Sequence, residues 1–327
     1  MGTESFKPAP VRGNEFYRDA LKWIRSTYPY WDRHGGADHL VAFPHDEGAC
    51  VAPIELANAT LLTSWGRLQK NPPNATTTMI EHSWFVPSFV KNMYASLQCY
   101  DPSKDILMPV FTSVKQIFTS PHLHPEESRG ARTILFHWRG QVLHQFPAYS
   151  LGIRQQLYHL YKNREREGIV VSDKHSGNYI REILNSRFCG VFPGNGWGHI
   201  ETPILLGCIP VVVQDDILTP WENVLDFSSF GVRLPRAQLH LLPQILRAIP
   251  PHRVAEMQLA LGKVWERFTF SSLAIAERDR HCAAAPASRD CRAMRRGLSG
   301  RGGEATGKDA IDTLMQVLHA RLLRRPS

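Results

Sequence analysis

From residue 132 onward, short apolar runs alternate with amphipathic stretches. RTILFHW (132–138), IVVS (169–172) and RFCGVF (187–192) read as strands, and between them LGIRQQLYHLYKN (151–163) and NYIREILNS (178–186) carry apolar residues at helical spacing. IETPILLG (200–207) then leads into CIPVVV (208–213), a near-continuous run of the kind that fills strands buried on both faces. This βαβ alternation predicts a parallel, doubly wound α/β domain over about 130–275. After it, 279–308 turns to Ala, Arg, Gly and Ser with almost no large apolar residue and reads as a disordered insert. DAIDTLMQVLHARLL (309–323) regains helical spacing, with Ile311, Leu314, Met315 and Leu318 on the face expected to pack on the body.

The first part is less regular. FYRDALKWIRSTY (16–28) reads as a helix and DHLVAFPHDEGAC (38–50) as a strand running into a polar loop; ANATLLTSW and DILMPV read as further short strands. Pro and Asn cluster at 71–75 as a surface loop, and the polar, Pro-bearing stretch TSPHLHPEESRGA (119–131) marks a domain boundary. The chain divides into 1–125, 126–278, the insert 279–308 and a C-terminal helix within 309–327.

The chemistry concentrates in FPGNGWGHIETPILLGCIPVVVQDDILTPWE (192–222). Gly194, Gly196 and Gly198 follow a predicted strand and precede a predicted helix, where backbone N–H groups can hold a phosphate; a Gly-rich turn without ligand fits the spacing equally well. Asp215 and Asp216 follow the buried strand, placed either to meet a sugar hydroxyl or metal or to cap the next turn.

These residues resemble the nucleotide-sugar-binding half of the exostosin-type glycosyltransferases, glycosyltransferase family 47. The family's F-C-x-x-P-x-G is matched by Phe188, Cys189, Pro193 and Gly194, and its G-C-x-P-V-x-x-x-D by Gly207, Cys208, Pro210, Val211 and Asp215. YPYWDRHGGADHLVAFPHDEGAC (28–50), ILFHWRG followed by GIRQQLY, and LDFSSFGVRL (225–234) are similar to further blocks in the same order. Two positions depart from the family: His199 stands where Arg is usual, and the helix Glu expected to hold the donor ribose falls on Thr202, with Glu201 one residue early and about 100° away around the helix.

The resemblance implies an α/β, GT-B-like fold of two Rossmann-like domains facing a cleft, the N-terminal one short and incomplete against the family. It implies an inverting glycosyltransferase that moves a sugar from a nucleotide sugar, a UDP-sugar, to a cell-wall or extracellular glycan acceptor. The alternative is a catalytically silent glycan-binding relative or partner subunit of a transferase complex. No tightly bound cofactor and no metal ligand set are expected, and the divalent-metal requirement stays open. For the nucleotide the candidates are Arg139 and Arg154, Gly194, Gly196 and Gly198, His199, Glu201, Thr202 and Asp215. For the base they are His45 and Asp46, with Asp38 and His39 behind them, while Asp32 and Arg33 are expected to brace the domain. The family implies the Golgi lumen and type II membrane topology; the chain opens without an apolar stretch, so membrane contact is expected only through an anchor outside this sequence.

Composition changes two points. Of the net charge of +8, six charges lie in 280–327, where ten Lys and Arg face four Asp and Glu, so the body is nearly neutral and no nucleic-acid partner is expected. Six Cys make no disulfide-rich scaffold: Cys189 and Cys208, on buried strands, read as free thiols, while pairings of Cys50 with Cys99 and Cys282 with Cys291 stay open. Sequons at Asn58 and Asn74 suit a lumenal protein.

Overall fold

The computed structural model describes residues 9–44, 46, 48–68, 99–118, 120–123, 132–146, 149–194, 198–296 and 308–323. In the first domain β1 (Leu40–Phe43), β2 (Thr60–Thr63) and β4 (Ile106–Leu107) form a parallel sheet in the order β1-β2-β4. The amphipathic helix Ala9–Thr27 inserts Leu21 into a core with Trp31, Phe43, Leu56 and Leu61. Asp105 is buried at the start of β4, yet its carboxylate is satisfied: it accepts from the N–H of Leu61 and of Asp101, each at 2.9 Å, and pairs with Lys104 at 2.6 Å.

The second domain holds the parallel strands β5 (Ile134–Arg139), β6 (Ile169–Ser172), β7 (Ser186–Val191), β8 (Ile209–Val212) and β10 (Val232–Arg233), in the order β10-β8-β7-β5-β6. All four residues of β8 are buried, which explains its unbroken apolar run. The chain goes from β5 to β6 on one side and returns to β7 on the other, so the strand order reverses between β5 and β7. In open α/β sheets ligands gather at the carboxyl ends flanking such a reversal.

A two-stranded antiparallel ribbon, β3 (Gly66–Arg67) against β9 (Ile217–Leu218), ties the domains together. A Cβ on Gly66 would stand 2.4 Å from the Leu218 carbonyl oxygen, so only glycine permits this approach. The helix Ala310–Leu323 recrosses to the first domain, where the Arg321 guanidinium donates to the carbonyls of Lys104 and Asp105. Two parallel α/β layers therefore face each other across a cleft, the GT-B-like arrangement.

Three expectations are corrected. Residues within 279–296 are not disordered: they continue the helix Ser271–Ala284 and form the helix Arg289–Arg296, joined by a Cys282–Cys291 disulfide and packed through Cys291 and Met294. Cys189 and Cys208 are not free thiols but a disulfide, because β7 and β8 are neighbours and their register sets Cys189 opposite Pro210, two residues past Cys208. The third disulfide joins Cys50 and Cys99. The final helix buries Ala310, Thr313 and Leu314, whereas Ile311 and Met315 are exposed. The Asn74 sequon, the 71–75 loop, 124–131 and 297–307 lie outside the described residues. Asn58 stands exposed in a turn before β2.

Candidate active site

A cleft of about 490 Å³ opens at the carboxyl ends of β5 and β7, lined there by Arg139, Gly140, Gly194, Gly198 and His199 and closed from the first domain by Asp46. At its wall lies Arg154, only 8% exposed. Its guanidinium sits 5.4 Å from the ring centroids of both Trp138 and Tyr149. Nη1 donates to the Gln141 carbonyl (3.1 Å) and the Tyr149 hydroxyl (3.0 Å), and Nη2 to the Phe192 carbonyl (3.2 Å). Nε has no partner, and none of the ion pairs among the described residues involves Arg154. Burial pushes its pKa down and Tyr149 opposes this; an arginine remains a cation all the same. The result is a buried positive charge, facing a polar cleft, that forms no ion pair with a carboxylate among the described residues. Ser150, Leu151 and Gly152, all left-handed, form the turn that sets Tyr149 beside Arg154.

Arg139 is engaged differently. Its Nε and Nη2 grip Glu182 at 2.5 and 3.0 Å, and the same carboxylate takes His137 Nε2 (3.0 Å) and the Ser176 hydroxyl (2.9 Å). Burial pushes the Glu182 carboxyl up, but the hydrogen bonds from Arg139, His137 and Ser176 outweigh it and hold it at about 2. His137, almost wholly buried on β5, is lowered by burial against the pull of Glu182.

Gly194 and Gly198 of the Gly-rich segment line the cleft. Gly194 packs on Arg154, where a Cβ would meet Nη2 at 2.4 Å, and Gly198 and His199 are both left-handed. The helix that follows, Glu201–Leu205, has five residues. His199 faces the cleft beside Asp46; burial and the Arg154 charge lower its pKa, and Asp46 raises it.

The candidates thus separate. Asp46, Arg139, Arg154, Gly194, Gly198, His199 and Thr202 all line the cleft, whereas His45 and Gly196 lie outside the described residues. Glu201 is 1% exposed, outside this lining, and its carboxylate accepts from the Val110 N–H at 2.9 Å across the domain boundary. Asp215 is also outside the lining: rather than capping the turn that follows it, it accepts from the Arg236 N–H at 3.2 Å, at the start of the 3-10 helix Arg236–Leu241. Asp38 pairs with Arg33 and His39 beside a different surface hollow, and Asp32 with Arg25 at 2.8 Å, so these groups brace the first domain. Sequence reasoning missed Glu182, Trp138 and Tyr149. Trp138 and Glu182 lie inside segments marked as a strand and a helix, ILFHWRG and NYIREILNS, and Tyr149 stands three residues before GIRQQLY, so position along the chain was their only signal. Among the described residues no group of three or more His, Cys, Asp and Glu could hold a metal ion.

With the cleft so arranged, the chain matches the exostosin GT47 domain over residues 3–249. The chain belongs to the exostosin GT47 family. Among the curated relatives of this exostosin domain are the "Probable beta-1,4-xylosyltransferase IRX10L" of Arabidopsis thaliana and the "Probable glucuronosyltransferase Os01g0926600" of Oryza sativa subsp. japonica. Each is 26% identical over 264 residues, covering 78% of this chain and 58% of the relative. The "Probable glucuronosyltransferase 47 A" of Physcomitrium patens is 26% identical over 271 residues, covering 78% and 53%. The chain therefore spans little more than half the length of these relatives. Among the described residues no helix is long and apolar enough to cross a membrane.

Proposed function

We propose that this exostosin chain carries the donor-binding and catalytic machinery of an inverting glycosyltransferase, which moves a sugar from a UDP-sugar to a hydroxyl of a cell-wall or extracellular glycan. The observation that carries this reading is Arg154, a buried cation without a carboxylate partner among the described residues, on a cleft between two parallel α/β layers. A nucleotide diphosphate supplies the missing negative charge, and bonds to it from a desolvated guanidinium strengthen as the diphosphate leaves. The acceptor oxygen attacks the anomeric carbon from the face opposite the diphosphate, the bond from that carbon to the diphosphate oxygen breaks, and the acceptor proton passes to a base. Asp46, reaching the cleft from the first domain, fills that role in this reading, with His45 beside it in sequence. His199, lowered by its surroundings, is neutral at physiological pH and serves as a hydrogen-bonding group rather than a phosphate cation.

The named relatives are xylosyl- and glucuronosyltransferases, which supports a donor from that group and a plant-type wall glycan as acceptor. Three disulfides support folding in an oxidising compartment, in keeping with the Golgi lumen. Incubation with radiolabelled UDP-xylose, UDP-glucuronate and other UDP-sugars, with and without wall oligosaccharides, tests the reading. The absence of both UDP binding and transfer across that panel overturns the reading. A silent donor-binding partner subunit is favoured by the engagement of Arg139 with Glu182 and by His199 in place of Arg. UDP binding without transfer, with transfer appearing in His199→Arg, would select it.

A further inference from the structure

The hollow beside Asp38, of about 1090 Å³, opens where the C-terminal helix crosses the first domain. Three parts of the chain meet in its lining: Leu40 at the start of β1 with Asn58 two residues before β2, Val224 of the second domain, and Arg321 and Leu322 of the helix Ala310–Leu323. Leu40, Val224 and Leu322 are 48%, 40% and 65% exposed, so apolar area from all three parts borders one space. Asn58 opens the triplet Asn58-Ala59-Thr60, the acceptor pattern for N-linked glycans. Its side chain is exposed, and Nδ2 donates to the Gly35 carbonyl at 3.3 Å, which anchors the amide beside the hollow.

The triplet states only where a transferring enzyme can act on the extended chain; the fold decides what the attached sugar touches afterwards. On a convex surface a glycan stands out into water, whereas a sugar bound to Asn58 Nδ2 starts within reach of a concave, partly apolar surface. An N-acetylglucosamine suits such a surface, because one ring face presents C–H groups and the acetyl group a methyl, while its hydroxyls stay toward water. We infer that Asn58 is N-glycosylated and that the first sugar seats in this hollow, covering apolar area of Leu40, Val224 and Leu322. The sugar thereby ties the C-terminal helix to the first domain beside the bonds from Arg321 to the Lys104 and Asp105 carbonyls. In the transfer, the Asn58 amide nitrogen attacks C1 of a lipid-diphosphate-linked oligosaccharide. The N–C1 bond forms, the C1–O bond breaks with its electron pair leaving on the diphosphate, and one amide proton passes to the medium. The second N–H of the amide remains for the Gly35 carbonyl. The inference rests on the lumenal compartment named with the glycosyltransferase reading and is independent of the donor cleft.

The test expresses the full chain behind a secretion leader in cells limited to high-mannose glycans, with Asn74→Gln throughout so that Asn58 alone is read. Peptide mass spectrometry of the secreted protein is expected to find the glycan on Asn58, and endoglycosidase H then trims it to a single N-acetylglucosamine. The trimmed protein should melt about 2 °C or more above the sugar-free Asn58→Gln and Thr60→Ala variants. Backbone amides of 310–323 should exchange several-fold more slowly in it than in those variants. Thr60→Ser keeps the acceptor pattern and should keep both effects. Leu322→Gln, at an exposed position, should keep the sugar yet narrow the gap between the trimmed protein and its own Asn58→Gln counterpart. A secreted chain with Asn58 bare, or equal melting and exchange in trimmed and sugar-free protein, overturns the inference. UDP titration of the same samples keeps the two readings apart: a seated sugar on a chain that does not bind UDP sinks the donor reading alone, and UDP binding by a chain with Asn58 bare sinks this inference alone.

Discussion

The carboxylate of Glu201 accepts a hydrogen bond from the backbone N–H of Val110 at 2.9 Å, joining the second domain to the loop after β4 of the first. Glu201 is buried at 1% exposure, while the Val110 end of the bond is partly buried. Glu201→Ala is therefore expected to lower stability by about 1 kcal/mol, the loss of a partly buried hydrogen bond to a charged group. Thermal unfolding checks the loss, and calorimetry with UDP checks the role. A fall in UDP affinity with unchanged melting temperature would return Glu201 to the donor site.

Arg154 gives the converse expectation. Its bonds go to two carbonyls and a phenol, and its charge is left for a ligand. Arg154→Met is expected to weaken UDP binding by about 10- to 150-fold, the equivalent of one charge-assisted hydrogen bond of roughly 1.5–3 kcal/mol. Arg154→Lys should recover little of it, because an ammonium cannot reproduce the planar stack between Trp138 and Tyr149. Wild-type UDP affinity in the Met variant would remove Arg154 from the site.

The Glu182 carboxyl, held at about 2 against an ordinary value of 4.5, links the cleft to pH. A carboxyl whose folded pKa is depressed contributes stability above its unfolded pKa, and that contribution is lost as pH falls through the folded value. Wild type should therefore melt higher than Glu182→Gln near neutrality, and the gap should close between about pH 4.5 and 2. A gap constant across that window would mean that Arg139 and His137 hold no charged Glu182.

What the sequence made legible follows from how strongly each residue is constrained by its own neighbours in the chain. β5 to β8 were readable because strands buried on both faces admit only apolar runs, and β8 is buried at every position. The Cys189–Cys208 bridge was not, because it depends on β7 and β8 being lateral neighbours, which neither run announces. The helices over 271–296 were hidden by their composition: Ala and Arg dominate, and the packing comes from few residues, Ala274, Cys282, Cys291 and Met294 among them. In the site, Arg154 and Gly194 could be named from motif position, but the engagement of Arg139 by Glu182 could not. It joins side chains 43 residues apart, brought together when the helix Tyr179–Leu184 folds onto β5.

The Cys189–Cys208 bridge closes a segment that contains the whole Gly-rich turn, with a sequence separation of 19. Replacing both cysteines by Ala should cost about 3 kcal/mol if the constraint acts mainly on the unfolded chain. Cys189 also lines the cleft, so UDP affinity should fall along with the melting temperature. A double variant as stable as wild type would show the bridge to be dispensable.

Gly194 and Arg154 provide a test that separates position from charge. A Cβ at Gly194 would stand 2.4 Å from Nη2 of Arg154. A free arginine would swing away at little cost, but this one is held by Gln141, Tyr149 and Phe192 and stacked between two rings, so it must give up some of those contacts. Gly194→Ala is expected to keep the guanidinium charge yet misplace it, lowering UDP affinity about 10-fold, near 1.4 kcal/mol. In the double variant Gly194→Ala, Arg154→Met the losses should not add, because once the guanidinium is gone the new methyl has nothing to displace; contacting residues couple in this way. Full additivity in UDP titrations would mean that the two residues act on the donor independently, and that the close packing of Gly194 on Arg154 does not set the position of the cation.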